Sequence, residues 1–319
     1  MGVKKKMRNN DGDIYDMAYL LDSTVGLGPL KMVIAAPYDR ASIESVAAAY
    51  REDIIVPVMV GNKNRILENA ERFNIPLGPI SIVNADEEDV LEKTASIFLE
   101  GGADFIMKGM LGTGNFMHVL LDPRWKIRTE RILSHVGMLE IPETKRVFLM
   151  SDGAINILPN FTRKIHIVAN AVEAARRAGM GKIKVAMLAA VEKVKLPAMP
   201  ATLDAFLMKK YAETGYFDEC EIDGPYALDN ALDPESAKVK GLSGMVAGMA
   251  NILIVPNIET GNVIWKSYTC LQGRDAAGVV LGGACPIVVP SRSDDFRTKL
   301  FSIKFARLLL STGCVDKRG

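Results

Sequence analysis

Short apolar runs alternate with amphipathic stretches of about ten residues along the first third of the chain. Before them, the chain starts with a polar and then glycine-rich segment, which predicts an N-terminal arm or short helix. The runs predicted to be strands are Met32–Ala36, Val56–Val60, Ile80–Val83 and Phe105–Lys108, and the helices predicted between them are Ala41–Arg51, Lys63–Phe73 and Glu87–Glu100. Strands that alternate with helices of this length are typical of βαβ units. The pattern predicts an α/β fold with a parallel sheet.

The pattern changes in the middle of the chain. Arg131–Val136 and Arg146–Met150 are apolar runs separated by a turn that contains Pro142, which predicts an antiparallel hairpin. The alternation then resumes with a helix at Arg163–Ala178, a strand at Lys184–Leu188, a helix at Thr202–Thr214 and a strand at Ile252–Pro256. A chain of 319 residues is longer than one core usually serves. We therefore predict two α/β domains, one formed by residues 1–135 and 288–319 and an inserted one formed by residues 136–287.

Near its end the chain runs from an apolar segment, Ala284–Val289, through a polar turn into a final helix. The turn, Ser291–Asp295, gathers a hydroxyl, an arginine and two carboxylates beside the free N–H groups of a helix N-terminus, which suit an anion. Ser291 and Asp294 also match the capping-box spacing, in which both side chains only satisfy backbone donors. From spacing alone, the cap is the favoured interpretation.

Two further segments suit an anion without being specific for one. Gly109–Gly114 follows a strand but matches neither the dinucleotide fingerprint nor the P-loop, so a tight turn and a close approach to a ligand are equally supported. A basic run follows it: Arg124, Lys126, Arg128 and Arg131. Such a run is usually a solvated face, and a phosphate clamp is the alternative.

Three other polar groups favour structural roles. Ser151–Asn156 reads as a turn with a helix cap rather than the wall of a site. Asp229 and Asp233 have the spacing of paired carboxylates, but Pro234 behind them favours a short exposed helix over a metal or acid–base site. His135 lies in an apolar run and is expected to be a structural, hydrogen-bonding residue rather than a catalyst.

Composition excludes several classes of protein. A net charge of +1 with 49% hydrophobic residues indicates a globular protein and gives no case for nucleic acid or a membrane surface. The four cysteines are widely spaced, which fits a reducing cytoplasm and predicts neither a disulfide framework nor a cysteine-rich metal site. No export signal or membrane helix is expected. These observations predict a two-domain cytoplasmic α/β protein with an anion-binding cleft, and they leave its function open.

Several segments, taken together in their order and spacing, resemble the phosphate acetyl/butyryltransferase family, and most closely its phosphate butyryltransferase branch. They are Lys108-Gly109, Ile127–Thr129 with Leu133–Val136, Asp223–Pro225, Asn251–Pro256 with Gly261-Asn262, and Pro286–Asp294. The resemblance extends from Lys31 to about Leu310. It implies an acyltransferase that interconverts a short-chain acyl-CoA (butyryl-CoA favoured) and phosphate with acyl phosphate and CoA, by direct transfer in a ternary complex.

The resemblance also implies particular roles for residues. The implied catalytic residues are Ser291, Arg292, Asp294 and Asp295, and the implied substrate- or phosphate-binding residues are Arg128, Arg131, Lys108, Gly109, Asn257 and Asn262. It implies no metal and no tightly bound cofactor, with coenzyme A as substrate or product. It further implies a fold similar to the isocitrate and isopropylmalate dehydrogenases with a cleft between the domains, a homodimer or larger assembly, and functional coupling to an acyl kinase.

Other functions stay open at this point. A phosphate acetyltransferase would differ only in its acyl pocket. A metal- and NAD-dependent hydroxyacid dehydrogenase would need a metal-binding aspartate cluster, for which only Asp229 and Asp233 are candidates. A CoA- or anion-binding module without catalysis is disfavoured by Ser291 and Arg292.

Overall fold

The computed structural model describes residues 16–141 and 143–311, so most of the predicted N-terminal arm and Pro142 of the predicted turn lie outside the described residues. The strands are β1 Leu30–Ala35, β2 Ile55–Gly61, β3 Ser81–Asn84, β4 Phe105–Lys108, β5 Ser134–Glu140, β6 Val147–Ser151, β7 Ile183–Leu188, β8 Cys220–Tyr226, β9 Ile252–Ile254, β10 Ala277–Leu281 and β11 Ile287–Val288. The helices are α1 Met17–Asp22, α2 Arg40–Arg51, α3 Lys63–Arg72, α4 Val90–Leu99, α5 Thr113–Leu120, α6 Phe161–Arg177, α7 Pro200–Ala212, α8 Leu228–Leu232, α9 Pro234–Val239, α10 Ile258–Lys266 and α11 Phe296–Ser311, with a 3₁₀ turn at Pro123–Trp125 and a π turn at Ser267–Leu271.

The chain divides into two compact units. Within the described residues, the N-terminal unit comprises 21–133 and 275–311, and the central unit comprises 16–20 and 134–274. This division differs from the predicted boundaries, because the chain returns to the N-terminal unit at Asp275 rather than at residue 288. The difference arises from β10, which the sequence reading missed and which pairs with β11 through Val280 and Ile287. That each unit is an independent domain stays a prediction.

The sheet of the N-terminal unit has the strand order β3-β2-β1-β4-β11-β10. Its strands are parallel from β3 to β11, and β10 runs antiparallel to β11. β1 and β4 are buried along their centres, with Ile34 and Ile106 fully buried, as expected for a parallel sheet covered by helices. The predicted α/β fold and parallel sheet are confirmed.

α11 is buried over most of its length and packs against α2 and β10. Its buried cations each have partners: Lys299 Nζ lies 2.6 Å from Asp39 Oδ1, Lys304 Nζ lies 2.7 Å from Glu52 Oε2, and Arg307 Nη2 donates to Gly28 O at 2.8 Å. Burial of a charge is costly unless the charge is paired, so these contacts are what allow a charged helix to lie inside the unit.

The strands of the central unit follow the order β5-β6-β9-β7-β8. β5 and β6 are antiparallel, which confirms the predicted hairpin, and the pairs from β6 to β8 are parallel. None of the described helices combines the length and apolarity that a bilayer crossing requires.

Element boundaries were predicted less well than element types. The apolar segment Ala284–Val289 forms a strand only at Ile287–Val288, because Gly283 and its neighbours turn instead of extending: Ala284 N donates to Ile127 O at 2.9 Å. α5, β8 and α10 were not predicted as elements. Each contains a glycine among polar residues (Gly114, Gly224 and Gly261), so the apolar periodicity that marks the other elements is weak there.

Candidate active site

Three neighbouring strands of the N-terminal unit end at the same edge of its sheet. Ala35 of β1 lies beside Lys108 of β4, and Met107 of β4 lies beside Val288 of β11. Ligands of open α/β sheets bind beyond the carboxyl ends of the strands. The loops that follow these strands, which contain Asp39, Gly109 and Ser291, therefore meet where a ligand is expected.

The turn after β11 is fixed by hydrogen bonds within itself. Asp294 N donates to Ser291 O at 3.2 Å, and Ser291 N donates to Asp294 Oδ2 at 2.8 Å. Ser291 Oγ lies 3.0 Å from Ser293 Oγ, with either atom as the donor. The turn thus holds the hydroxyl, the guanidinium-bearing residue Arg292 and one carboxylate in a single compact loop.

The helix cap predicted at this place belongs to a different residue. Asp295 Oδ1 accepts a hydrogen bond from Thr298 N at 2.8 Å, and Asp295 O accepts from Lys299 N at 3.2 Å, which is the geometry of an N-cap residue. Asp294 makes the carboxylate half of the predicted capping box, but Ser291 Oγ points to Ser293 instead. A structural role is therefore assigned to Asp295, and its catalytic role stays a prediction.

The glycine-rich loop after β4 lies against β1 and beside Arg292. Gly109 N donates to Ala35 O at 2.8 Å, and a Cβ on Gly109 would stand 2.6 Å from that same oxygen, so no larger residue fits there. A Cβ on Gly112 would lie 3.8 Å from Arg292 Nη2. At Gly109 the backbone of the loop thus lies very close to the backbone of Ala35. At Gly112 the loop borders the guanidinium of the exposed residue Arg292.

Lys108 is buried beneath this loop, with 1% of its surface exposed. Its Nζ donates to Gly109 O and to Leu111 O, each at 3.2 Å. Burial, followed by the charges of Lys299 and Arg292, lowers the pKa of Lys108 to about 8, although Asp294 and Asp39 act in the opposite direction. The predicted site residues Lys108, Arg292 and Asp294 therefore interact electrostatically.

The sequence reading missed Asp39 and Lys299. Asp39 Oδ1 accepts from Lys299 Nζ at 2.6 Å and from Ser42 N at 2.9 Å as the N-cap of α2. Burial raises the pKa of Asp39, but the hydrogen bonds of Lys299 and Ser42 outweigh it and the pKa lies below its ordinary value. In the sequence, Asp39 looks like an ordinary helix N-cap. No local pattern connects it to Lys299, which lies 260 residues further along the chain.

The remaining basic residues lie on the segment before β5. Arg124 forms ion pairs with Glu92 and Asp122 and lies over the Trp125 ring, so it is held in a structural contact. Arg128 and Arg131 are exposed. Within the described residues the Arg128 guanidinium makes no hydrogen bond or ion pair, which leaves it available to an anion.

Asn257 and Asn262, the other predicted binding residues, belong to the central unit. Asn257 caps α10 through Thr260 N at 3.0 Å, and Asn262 is exposed on that helix. The structure therefore gives Asn257 a structural contact, and binding by either residue stays a prediction.

The structural interpretations of the other polar groups agree with their contacts. Asp152 Oδ1 accepts from Ala154 N at 2.9 Å, and Asp233 Oδ2 accepts from Ser236 N at 2.8 Å as the cap of α9. His135 packs edge-on against Trp265, with ring centroids 5.3 Å apart. Among the described residues there is no group of three or more histidine, cysteine or carboxylate side chains able to hold a metal ion.

Comparison with known proteins gives one consistent result. Residues 89–306 match the family model described as Phosphate acetyl/butaryl transferase. The chain is 34% identical to a phosphate butyryltransferase of Clostridium beijerinckii, covering 88% of this chain and 92% of that protein, and 37% identical to a phosphate acetyltransferase of Rhizobium meliloti, covering 88% and 89%. It also resembles the crystal structure of a branched-chain phosphotransacylase from Enterococcus faecalis, with a TM-score of 0.77 and 29% identity over 88% of this chain and 99% of that one. A hydroxyacid dehydrogenase is not favoured. The chain is an acyltransferase and belongs to the phosphate acetyl/butyryltransferase family.

Proposed function

We propose that this chain transfers an acyl group between coenzyme A and inorganic phosphate at the turn Ser291–Asp294. The observation that carries the proposal is the position of Arg292, whose exposed guanidinium borders Gly112 and acts electrostatically on the buried Lys108. A planar guanidinium beside backbone N–H groups suits a phosphate, because it donates two parallel hydrogen bonds to an oxyanion.

The proposed reaction needs a base, an oxyanion donor and a phosphate ligand. In the CoA-acylating direction a carboxylate, Asp294 by preference, accepts the thiol proton as the sulfur attacks the acyl carbon. The new S–C bond forms, the bond from the acyl carbon to the phosphate oxygen breaks, and phosphate leaves with both electrons. The thiol has a pKa of ~8.5 by analogy with cysteine, so it is mostly protonated at neutral pH and benefits from a base.

Stabilisation of charge falls to the other residues of the turn. Ser291 Oγ, or backbone N–H groups beside it, would donate to the oxyanion of the tetrahedral intermediate. Arg292 would hold the phosphate, with Arg128, Arg131, Lys108 and the loop at Gly109 contributing to its site. Asn257 and Asn262 are proposed as further substrate contacts. Transfer is direct, without an acyl-enzyme, in a ternary complex.

The acyl group is proposed to be a short chain, with butyryl favoured and acetyl as the alternative. The relatives leave both open, because the identity to the butyryltransferase of Clostridium beijerinckii is 34% and to the acetyltransferase of Rhizobium meliloti 37%. The branched-chain phosphotransacylase of Enterococcus faecalis supports a pocket that also admits isovaleryl and related groups.

Further properties are proposed from the family resemblance. They are a fold similar to the isocitrate and isopropylmalate dehydrogenases with a cleft between two domains, a homodimer or larger assembly, a cytoplasmic location and coupling to an acyl kinase. Coenzyme A enters as substrate or product, and no tightly bound cofactor or metal is required by the proposed step.

A thiol-release assay tests the reaction. Purified protein would be given acetyl-, propionyl-, butyryl- or isovaleryl-CoA, each with and without phosphate. We expect CoA release that depends on phosphate and is fastest with butyryl-CoA. Fastest release with acetyl-CoA would favour the acetyltransferase, and no phosphate-dependent release with any of the four would contradict the proposed function.

A further inference from the structure

Lys108 has an unusual environment for a lysine. It is the last residue of β4, it is 1% exposed, and its Nζ is held by two backbone carbonyls, Gly109 O and Leu111 O. Among the described residues no carboxylate lies within ion-pair distance of this ammonium. Lys299, equally buried, contrasts with it because Asp39 Oδ1 lies 2.6 Å away. Lys108 is therefore a buried cation whose charge is not neutralised by direct contact.

Charged groups face Lys108 from three neighbouring segments. They are Lys299 on α11, Arg292 and Asp294 in the turn before α11, and Asp39 at the N-cap of α2. Lys299 is already paired with Asp39, and Ser291 N donates to Asp294 Oδ2. The cluster contains three basic and two acidic side chains, so it carries one excess positive charge when all five are ionised.

The position of Lys108 affects the loop after β4 as well as the electrostatic potential around it. The ammonium donates hydrogen bonds to the carbonyl oxygens of Gly109 and Leu111, which would otherwise repel an anion. The same loop reaches Arg292 at Gly112. An anion held by Arg292 would thus lie beside a loop whose carbonyls are engaged from behind by a buried positive charge.

We propose that Lys108 is a positioning residue of the phosphate site, which binds phosphate well only while the Lys108 ammonium keeps its proton. The proposal rests on the proposed function, in that it takes the anion at Arg292 to be phosphate. It assigns Lys108 an action through the loop and through its charge rather than a contact with the reacting atoms.

The pH dependence follows from linkage. Burial and the two neighbouring cations lower the pKa of Lys108 to about 8, so the ammonium is present at neutral pH and lost as the pH rises through this value. Because the protonated form binds phosphate more tightly, affinity falls above about pH 8, and bound phosphate in turn raises the pKa of Lys108. Phosphate itself gains charge as the pH rises, which acts in the opposite direction.

Calorimetric titration with inorganic phosphate between about pH 7 and pH 9.5 tests the proposal on the wild type, Lys108→Arg and Lys108→Met. The wild type is expected to lose affinity on the order of tenfold across this range, the effect of one charge at ~10 Å and an effective dielectric constant of ~20. Lys108→Arg keeps its positive charge, so it is expected to lose no phosphate affinity across this range. Any change in its affinity reports the ionisation of phosphate itself. Lys108→Met is expected to bind weakly at every pH.

Two results would overturn the proposal. One is a wild-type affinity that falls no more between pH 7 and pH 9.5 than the affinity of Lys108→Arg does. The other is equal phosphate affinity for wild type and Lys108→Met at pH 7, which is decisive even if the arginine variant fails to fold. Calorimetry measures phosphate binding without turnover, so the two proposals can fail separately. If phosphate affinity shows the expected pH dependence but no phosphate-dependent CoA release occurs, the role of Lys108 is supported and the proposed function is contradicted. Normal CoA release without the pH dependence would contradict only the role of Lys108.

Discussion

Lys299 Nζ and Asp39 Oδ1 lie 2.6 Å apart, and the side chain of Lys299 is only 2% exposed. The pair joins α11 to the start of α2, where the loop after β1 ends. Its residues are 260 positions apart in the chain. This contact fixes the final helix, and with it the preceding turn at Ser291, relative to the first strands of the N-terminal unit.

Removal of one partner of this pair is expected to destabilise the protein. Asp39→Asn leaves a buried ammonium without a counter-charge, but the Asp39 side chain is itself 20% exposed, so we expect a loss of about 1.5–3 kcal/mol, the scale of a hydrogen bond to a charged group. Urea unfolding at neutral pH measures the change. Arg40→Gln is the control, because the pair of Arg40 with Glu44 is exposed and is expected to contribute at most ~0.5 kcal/mol.

The same pair predicts a dependence on acid pH. The pKa of folded Asp39 lies below its ordinary value, so its contribution is complete above about pH 4 and is lost as the pH falls through the folded value. The difference in unfolding free energy between wild type and Asp39→Asn should therefore shrink below about pH 4. A difference that is unchanged from pH 7 to pH 3 would show that the pair contributes no charge-dependent stability.

Gly109 and Gly114 offer a matched test of the loop after β4. Gly109→Ala would force a methyl group onto the carbonyl oxygens of Ala35 and Ala36, and we expect a loss of about 1–3 kcal/mol with a displaced loop and reduced turnover. Gly114 lies in α5 with open space at its Cβ position, so Gly114→Ala is expected to be neutral or to stabilise by up to ~1 kcal/mol. Thermal unfolding of both variants checks this, and equal stability of the two would refute the close approach at Gly109.

Asparagine substitutions separate the two carboxylates of the turn. Asn retains an oxygen that accepts the hydrogen bonds now made by Asp294 and Asp295, so both variants should fold normally. If Asp294 is the base, Asp294→Asn lowers turnover by ~10²-fold or more. Asp295 caps α11, so Asp295→Asn is expected to keep near-normal turnover. Steady-state rates of CoA release measure both. The reverse order would assign the base to Asp295.

The sequence predicted what local patterns encode and missed what long-range contacts decide. Phe105–Lys108 was predicted with its true bounds, since an apolar run ended by a glycine-rich turn is a local signal. The partner of Lys299 was not predictable, because Asp39 looks like any N-cap. The capping residue of α11 was also misplaced: the favoured capping box made Ser291 the N-cap, whereas Asp295, four residues later, accepts from Thr298 N. Which of several adjacent polar residues caps a helix depends on where its first turn begins.

If the turn at Ser291 and Arg292 performs phosphate-dependent acyl transfer, the rate of CoA release from butyryl-CoA and phosphate depends on both side chains. Arg292→Ala would be measured beside wild type and Arg297→Ala, whose arginine lies at the same end of α11 but pairs with Asp275 at 2.8 Å. Ser291→Ala would be measured in parallel. We predict that Arg292→Ala and Ser291→Ala each lower turnover by ~10²-fold or more with folding retained, while Arg297→Ala stays near wild type. Near-normal turnover of both site variants would show that acyl transfer does not depend on this turn.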